Sequence, residues 1–172
     1  MSFNYKSFKK ELKEATKLTF NSIENKDTIC GFAIFSDEDA GSVGISYERI
    51  DNLLKMWNEN PKEKMYYKWY FAEWIGEEEK NATLMYNLSN KLFGITFKND
   101  NEFEEHKTKI FEIMVNVLLE LKEENTFSSV NQNFVLIFDV SDFDGEHLQK
   151  KWISILNDKL LSEEYLKWIE SY

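Results

Sequence analysis

Residues 28–46 read TICGFAIFSDEDAGSVGIS, and the interpretation of this stretch decides the fold. TICGFAIFS is an almost unbroken apolar run, too short for a typical buried helix and bounded by polar turn residues. A strand covered on both faces has this pattern, whereas a half-exposed strand alternates. The acidic DEDAG that follows makes a turn, and SVGIS returns as a second strand, expected antiparallel to the first.

Upstream, Tyr5, Phe8, Leu12, Ala15, Thr19 and Ile23 recur on a 3.6-residue period among lysines and glutamates, predicting an amphipathic helix to about Glu24. Downstream, Ser46 reads as the N-cap of a helix whose face carries Tyr47, Ile50, Leu53, Leu54 and Trp57, and which Pro61 terminates. MYYKWYF (65–71) alternates Tyr66, Lys68 and Tyr70 against Tyr67, Trp69 and Phe71, which predicts a partly exposed strand. Leu84, Leu88 and Leu92 mark a helix closing near Gly94, and residues 101–124 give a long helix that is apolar over much of its circumference. NFVLIFDV is a further buried strand. Two helices follow, one with Leu148, Trp152, Ile155 and Leu156, the other with Leu161, Tyr165, Trp168 and Ile169. This order lacks the strict strand–helix alternation of a doubly wound sheet. It predicts an α+β fold: a single domain over residues 1–172, with a small, mainly antiparallel sheet packed by several helices.

Composition narrows the function classes. Acidic residues outnumber Lys plus Arg by 31 to 21, a net charge of −10. Such a surface repels phosphate backbones and anionic lipid, so neither nucleic acid nor membrane is the expected partner, and a basic protein is. Arg49 is the only arginine, which leaves almost no bidentate clamp for phosphate. Cys30 stands alone, the N-terminal twenty residues carry no apolar core of a signal peptide, and no run is long enough to span a bilayer. A cytoplasmic protein without cofactor is expected.

The residues offer little for catalysis or metal binding. Two histidines and one cysteine, without CxxC or HExxH, do not make a zinc site. No P-loop, GxGxxG or GxSxG occurs. DVSDFDG (139–145) resembles a calcium loop until its spacing is checked: with Gly145 as position 6, position 1 is Val140 and position 12 is Lys151. Asp139, at the end of four apolar strand residues, needs a hydrogen-bond partner or its pKa rises.

KWYFAEWIGEEEK (68–80) mixes four aromatic rings with four glutamates. Tyrosine and tryptophan are favoured interface anchors, so the candidate binding residues are Tyr70, Glu73, Trp74, Glu77, Glu78 and Asp142. The competing interpretation makes Trp69 and Trp74 core residues and lets the glutamates begin a helix.

The chain resembles a bacterial family known as domain of unknown function 4303. The likeness rests on GFAIFSDEDAG after the first helix, YYKWYFAEW with the Glu73–Trp74 pair, VLIFDVSD with Ser141 and Asp142, and ISILND closing the next helix. The family name implies no activity. Small acidic α+β proteins of this appearance include bacterial immunity proteins, which neutralise toxins. The expected function is therefore a non-catalytic protein-binding module, an immunity protein that occludes a basic toxin. The alternative is an enzyme or small-molecule binder using Glu73, Asp139 or Asp142 in a cleft.

Overall fold

A computed structural model describes residues 3–76, 82–142 and 144–171. The elements run α1 (Tyr5–Ser22), β1 (Ile29–Asp37), β2 (Gly44–Arg49), α2 (Ile50–Glu59), α3 (Lys64–Trp69), α4 (Ala82–Phe93), α5 (Asp100–Glu123), β3 (Val135–Ser141), α6 (Glu146–Leu156) and α7 (Lys159–Ile169). The fold is α+β, with a mixed three-stranded sheet in the order β2-β1-β3. β1 pairs antiparallel with β2, placing Phe32 opposite Tyr47, and parallel with β3, placing Phe32 opposite Leu136. Its central position, covered on both faces, accounts for its continuous apolar run.

Side chains alternate across the sheet and divide the interior in two. Phe32, Ile34, Leu136 and Phe138 enter the larger core with α1, α4 and α5. Here Phe20 meets Phe32 edge-on at 5.5 Å and Phe127 at 4.8 Å, a favoured aromatic geometry. α5 is central because buried side chains occupy most of its circumference. The Asn4 and Asn99 side chains accept from the backbone N–H groups of Ser7 and Glu102, starting α1 and α5 respectively.

Ala33, Val135 and Ile137 enter the smaller core with Trp69, Phe71, Trp74, Ile153 and Tyr165, supplied by α3, the 3-10 turn Phe71–Glu73 and its flank, α6 and α7. Gly31 belongs to this face, and only glycine fits there. A Cβ would lie 2.7 Å from the Trp74 ring.

Two local expectations are corrected. Residues 65–71 are not a strand: Lys64–Trp69 form α3, and Phe71–Glu73 a 3-10 turn. In a run of five aromatics, alternation has almost no polar contrast to act on. Packing of Met65 and Trp69, four apart on one helix face, decides the matter. Lys68, expected beside Tyr66 and Tyr70, is instead buried, its Nζ 2.5 Å from Glu164 Oε1. Ser46 is not a helix cap either. It pairs with Ala33 inside β2, the ladder continues through Tyr47 to Arg49, and α2 begins at Ile50.

Each sheet edge is closed at particular residues by a side chain or a short backbone bridge. At the β3 edge, the Asn157 amide donates to Leu136 O at 2.8 Å and accepts from Leu136 N–H at 2.9 Å. Beside β2, Ser89 Oγ accepts from Val43 N–H at 3.0 Å, and its one hydroxyl proton lies within reach of Met85 O at 2.9 Å and Val43 O at 3.2 Å. Tyr47 exchanges both backbone bonds with Gly76.

Candidate functional site

Aromatic rings run outward from the end of β1 to the surface. Phe35 stacks on Phe71 at 4.8 Å, Phe71 meets Tyr70 at 6.3 Å, and Tyr70 stacks on Tyr66 at 5.0 Å with 25° between planes. Tyr67 closes edge-on against Tyr66 at 5.4 Å. The inner members are buried or half-buried, whereas Tyr70 is 41% exposed, so the series leads from core to solvent. Tyr66 and Tyr70 share a side of the chain because they are four residues apart, with Tyr70 at the helix C-cap.

Carboxylates surround this corner. Tyr66 donates its phenol proton to Glu73 Oε1 at 2.9 Å. Burial, then the hydrogen bond to Glu73, pushes the Tyr66 phenol up to about 12. Tyr67 is raised by desolvation and then by the charges of Glu63, Glu73 and Glu59. The phenols therefore remain protonated donors in a negative field. A partner presenting cations would find ring faces and carboxylate acceptors together.

The sequence candidates fall in different places. Tyr70 and Glu73 are exposed members of the corner. Trp74 is corrected from binding residue to core residue: it is 6% exposed, lies against Gly31 and donates Nε1–H to Tyr67 O at 3.1 Å. Glu77 and Glu78 lie outside the described residues. Asp142 is exposed in the turn after β3, with a left-handed φ of 56°. Among the described residues no hydrogen bond joins Asp142 or Asp139 to Glu73. Sequence reasoning missed Glu59 and Glu63, which approach Tyr67 once residues 64–69 are helical. Their spacing from the aromatic run was the available signal.

The buried ionisable groups on the sheet face beneath α3, α6 and α7 are held singly. Asp139 is 7% exposed; its Oδ1 accepts from Val140 N–H at 2.8 Å and from Gln149 Nε2. Burial lifts its pKa to about 6 against these two bonds. Glu48 accepts from Arg49 N–H at 2.7 Å and Asn52 Nδ2 at 2.8 Å, and burial raises it too. Burial pushes the Cys30 thiol up to about 12, leaving little nucleophilic thiolate. No group of three or more His, Cys, Asp or Glu among the described residues is placed to hold a metal ion. No helix among them is long and apolar enough to cross a membrane.

No curated protein and no solved structure matches the chain. One family matches over residues 12–158, from the middle of α1 to the N-cap of α7, and so takes in the whole sheet and the aromatic corner. That stretch covers most of the 172 residues, and the chain belongs to the family described as Domain of unknown function (DUF4303).

Proposed function

We propose that this chain is a non-catalytic, cytoplasmic protein-binding module: a bacterial immunity protein that keeps a basic toxin inactive by covering its working surface. The observation that carries this reading is the Tyr66–Tyr70 stack, open to solvent at Tyr70 and bordered by Glu59, Glu63 and Glu73. Aromatic anchors supply rigid contact area, and the surrounding carboxylates select a cationic partner. The net charge of −10 favours the same encounter over long range.

The test is affinity isolation of the tagged protein from its host at low and moderate salt, run in parallel with Tyr70→Ala and Glu73→Gln. A stoichiometric basic protein, retained by the wild type and lost from both variants, is the expected result. Its toxicity should then be neutralised by the wild type and not by the variants. A partner that ignores both substitutions removes the corner from the interface. Failure to retain any partner overturns the binding-module reading.

The rival reading, carboxylate chemistry in a cleft, draws support from Asp139, whose pKa near 6 suits a general acid or base. Gln149 and Val140 already occupy one oxygen of that carboxylate within a covered face. Loss of a small-molecule turnover on Asp139→Asn, in a folded variant, is the result that would favour it.

A further inference from the structure

We infer that the aromatic corner is a receptor for an arginine side chain of the partner, a refinement that rests on the protein-binding reading above. The guanidinium lies flat on the Tyr70 ring and directs its N–H fork at Glu73.

The corner lacks the cations that its own carboxylates call for. Elsewhere the chain neutralises glutamates from within: Lys9 and Lys13 share Glu120, Lys17 reaches Glu124 and Lys150 reaches Glu146. Glu59, Glu63 and Glu73 are exposed, and among the described residues no ion pair reaches them. The nearest basic side chains in sequence are committed to other places. Lys64 lies over the Trp57 ring at 5.8 Å, and Lys68 is buried against Glu164. Arg49, the only arginine, lies over Tyr47 at 5.5 Å and donates to Glu24 O and Thr28 Oγ1. Negative charge is thus gathered beside exposed aromatic surface, and a partner must bring the positive charge.

The geometry selects arginine over lysine. Tyr66 covers one face of the Tyr70 ring, yet Tyr70 remains 41% exposed, so ring surface is left for a planar group. Glu73 Oε1 accepts the Tyr66 phenol proton at 2.9 Å, which occupies only one of the acceptor positions of that carboxylate. A guanidinium engages a ring with its plane and a carboxylate with its edge at the same time. An ammonium group is a compact, strongly hydrated point charge and has no plane to lay on the ring. Glu59 and Glu63, close enough to Tyr67 to raise its phenol pKa, add to the negative field that draws the cation in.

NMR titration of the whole chain at low salt tests this with two blocked pentapeptides of glycine, one carrying two arginines and the other two lysines. At equal charge the arginine peptide is expected to bind about threefold to tenfold more tightly, as a ring contact with a fork provides. Its side-chain protons should move upfield in the ring current of Tyr70. Tyr70→Leu keeps apolar bulk at an exposed position, so its thermal melt should stay near that of the wild type while the two peptides come to equal affinity. Glu63→Gln with Glu73→Gln should weaken the arginine peptide more than Glu105→Gln with Glu112→Gln, which removes as much charge from exposed positions on α5. Equal affinity of the two peptides for the wild type, a preference that survives Tyr70→Leu, or equal loss from the two double variants would each overturn the arginine assignment. No binding of either peptide up to ~10 mM would overturn it as well. The partner isolation described above decides separately whether the binding-module reading stands.

Discussion

Replacing Asp139 by asparagine tests the account of the interior most directly. The carboxyl group titrates near 3.8 when solvated and near 6 in the fold. A folded pKa raised above the unfolded value means that the native state binds the proton more tightly. Its contribution is therefore fully present below pH 3.8 and is lost as pH rises through about 6. A shift of roughly two units corresponds to about 3 kcal/mol at 1.36 kcal/mol per unit. The asparagine side chain keeps an oxygen to accept from Val140 N–H and Gln149, but carries no charge. The difference between variant and wild type should be near zero in acid. Above neutrality it should grow to about 3 kcal/mol in favour of the Asp139→Asn variant. Urea titrations of both proteins at a series of pH values measure this directly, since other titrating groups cancel in the difference. A difference that does not change with pH, or a variant less stable than wild type above neutrality, would refute the reasoning. The second outcome would mean that the fold uses the charge itself.

Three other outcomes are expected. Gly31→Ala should cost about 1–3 kcal/mol, because the new methyl group meets the buried Trp74 ring and neither has room to yield; equilibrium unfolding followed by tryptophan fluorescence reads this. Burial lowers the pKa of His106, which also bonds the Tyr5 hydroxyl at 2.8 Å. NMR titration should place it below 6.5, and its share of stability should be present above pH 6.5 and lost as pH falls through the folded value. Glu164→Ala should cost more than Lys68→Met. The first strands a buried ammonium group, and the second removes the charge that needs a partner; thermal melts of the two variants give the order.

What the sequence revealed followed from contrast. β1 and the long α5 were legible because apolar runs and helical stripes stood against polar flanks. YYKWYF had no such contrast, and its period-two pattern led to a strand where packing makes a helix. Even so, Tyr66 and Tyr70 were expected on one side, and they are. A separation of four returns to the same side in a strand and in a helix alike. Lys68, two from each, tells the two structures apart: a strand would have exposed it with the tyrosines, and the helix turns it inward. Ser46 misled because a capping residue is a local signal, whereas the ladder from Tyr47 to Arg49 is set by partners many residues away. The parallel placement of β3 depends on a connection through several helices and has no local signature. Glu59 and Glu63 were missed at the corner for the same reason as α3, since only helical geometry turns them toward Tyr67.

Asn157 and Ser89 give the sheet a property that reaches beyond stability. Asn157 offers Leu136 both a donor and an acceptor, standing in for one residue of a neighbouring strand, and Ser89 offers Val43 an acceptor. A sheet of only three strands would otherwise show two raw margins, the usual templates for runaway cross-β growth. Leu136 on one margin, and Val43 and Tyr47 beside the other, are thereby closed to a foreign strand, which shortens the backbone either margin could offer to zippering. Recognition through side chains on its helices, by contrast, can be tuned by a single substitution without reopening those positions.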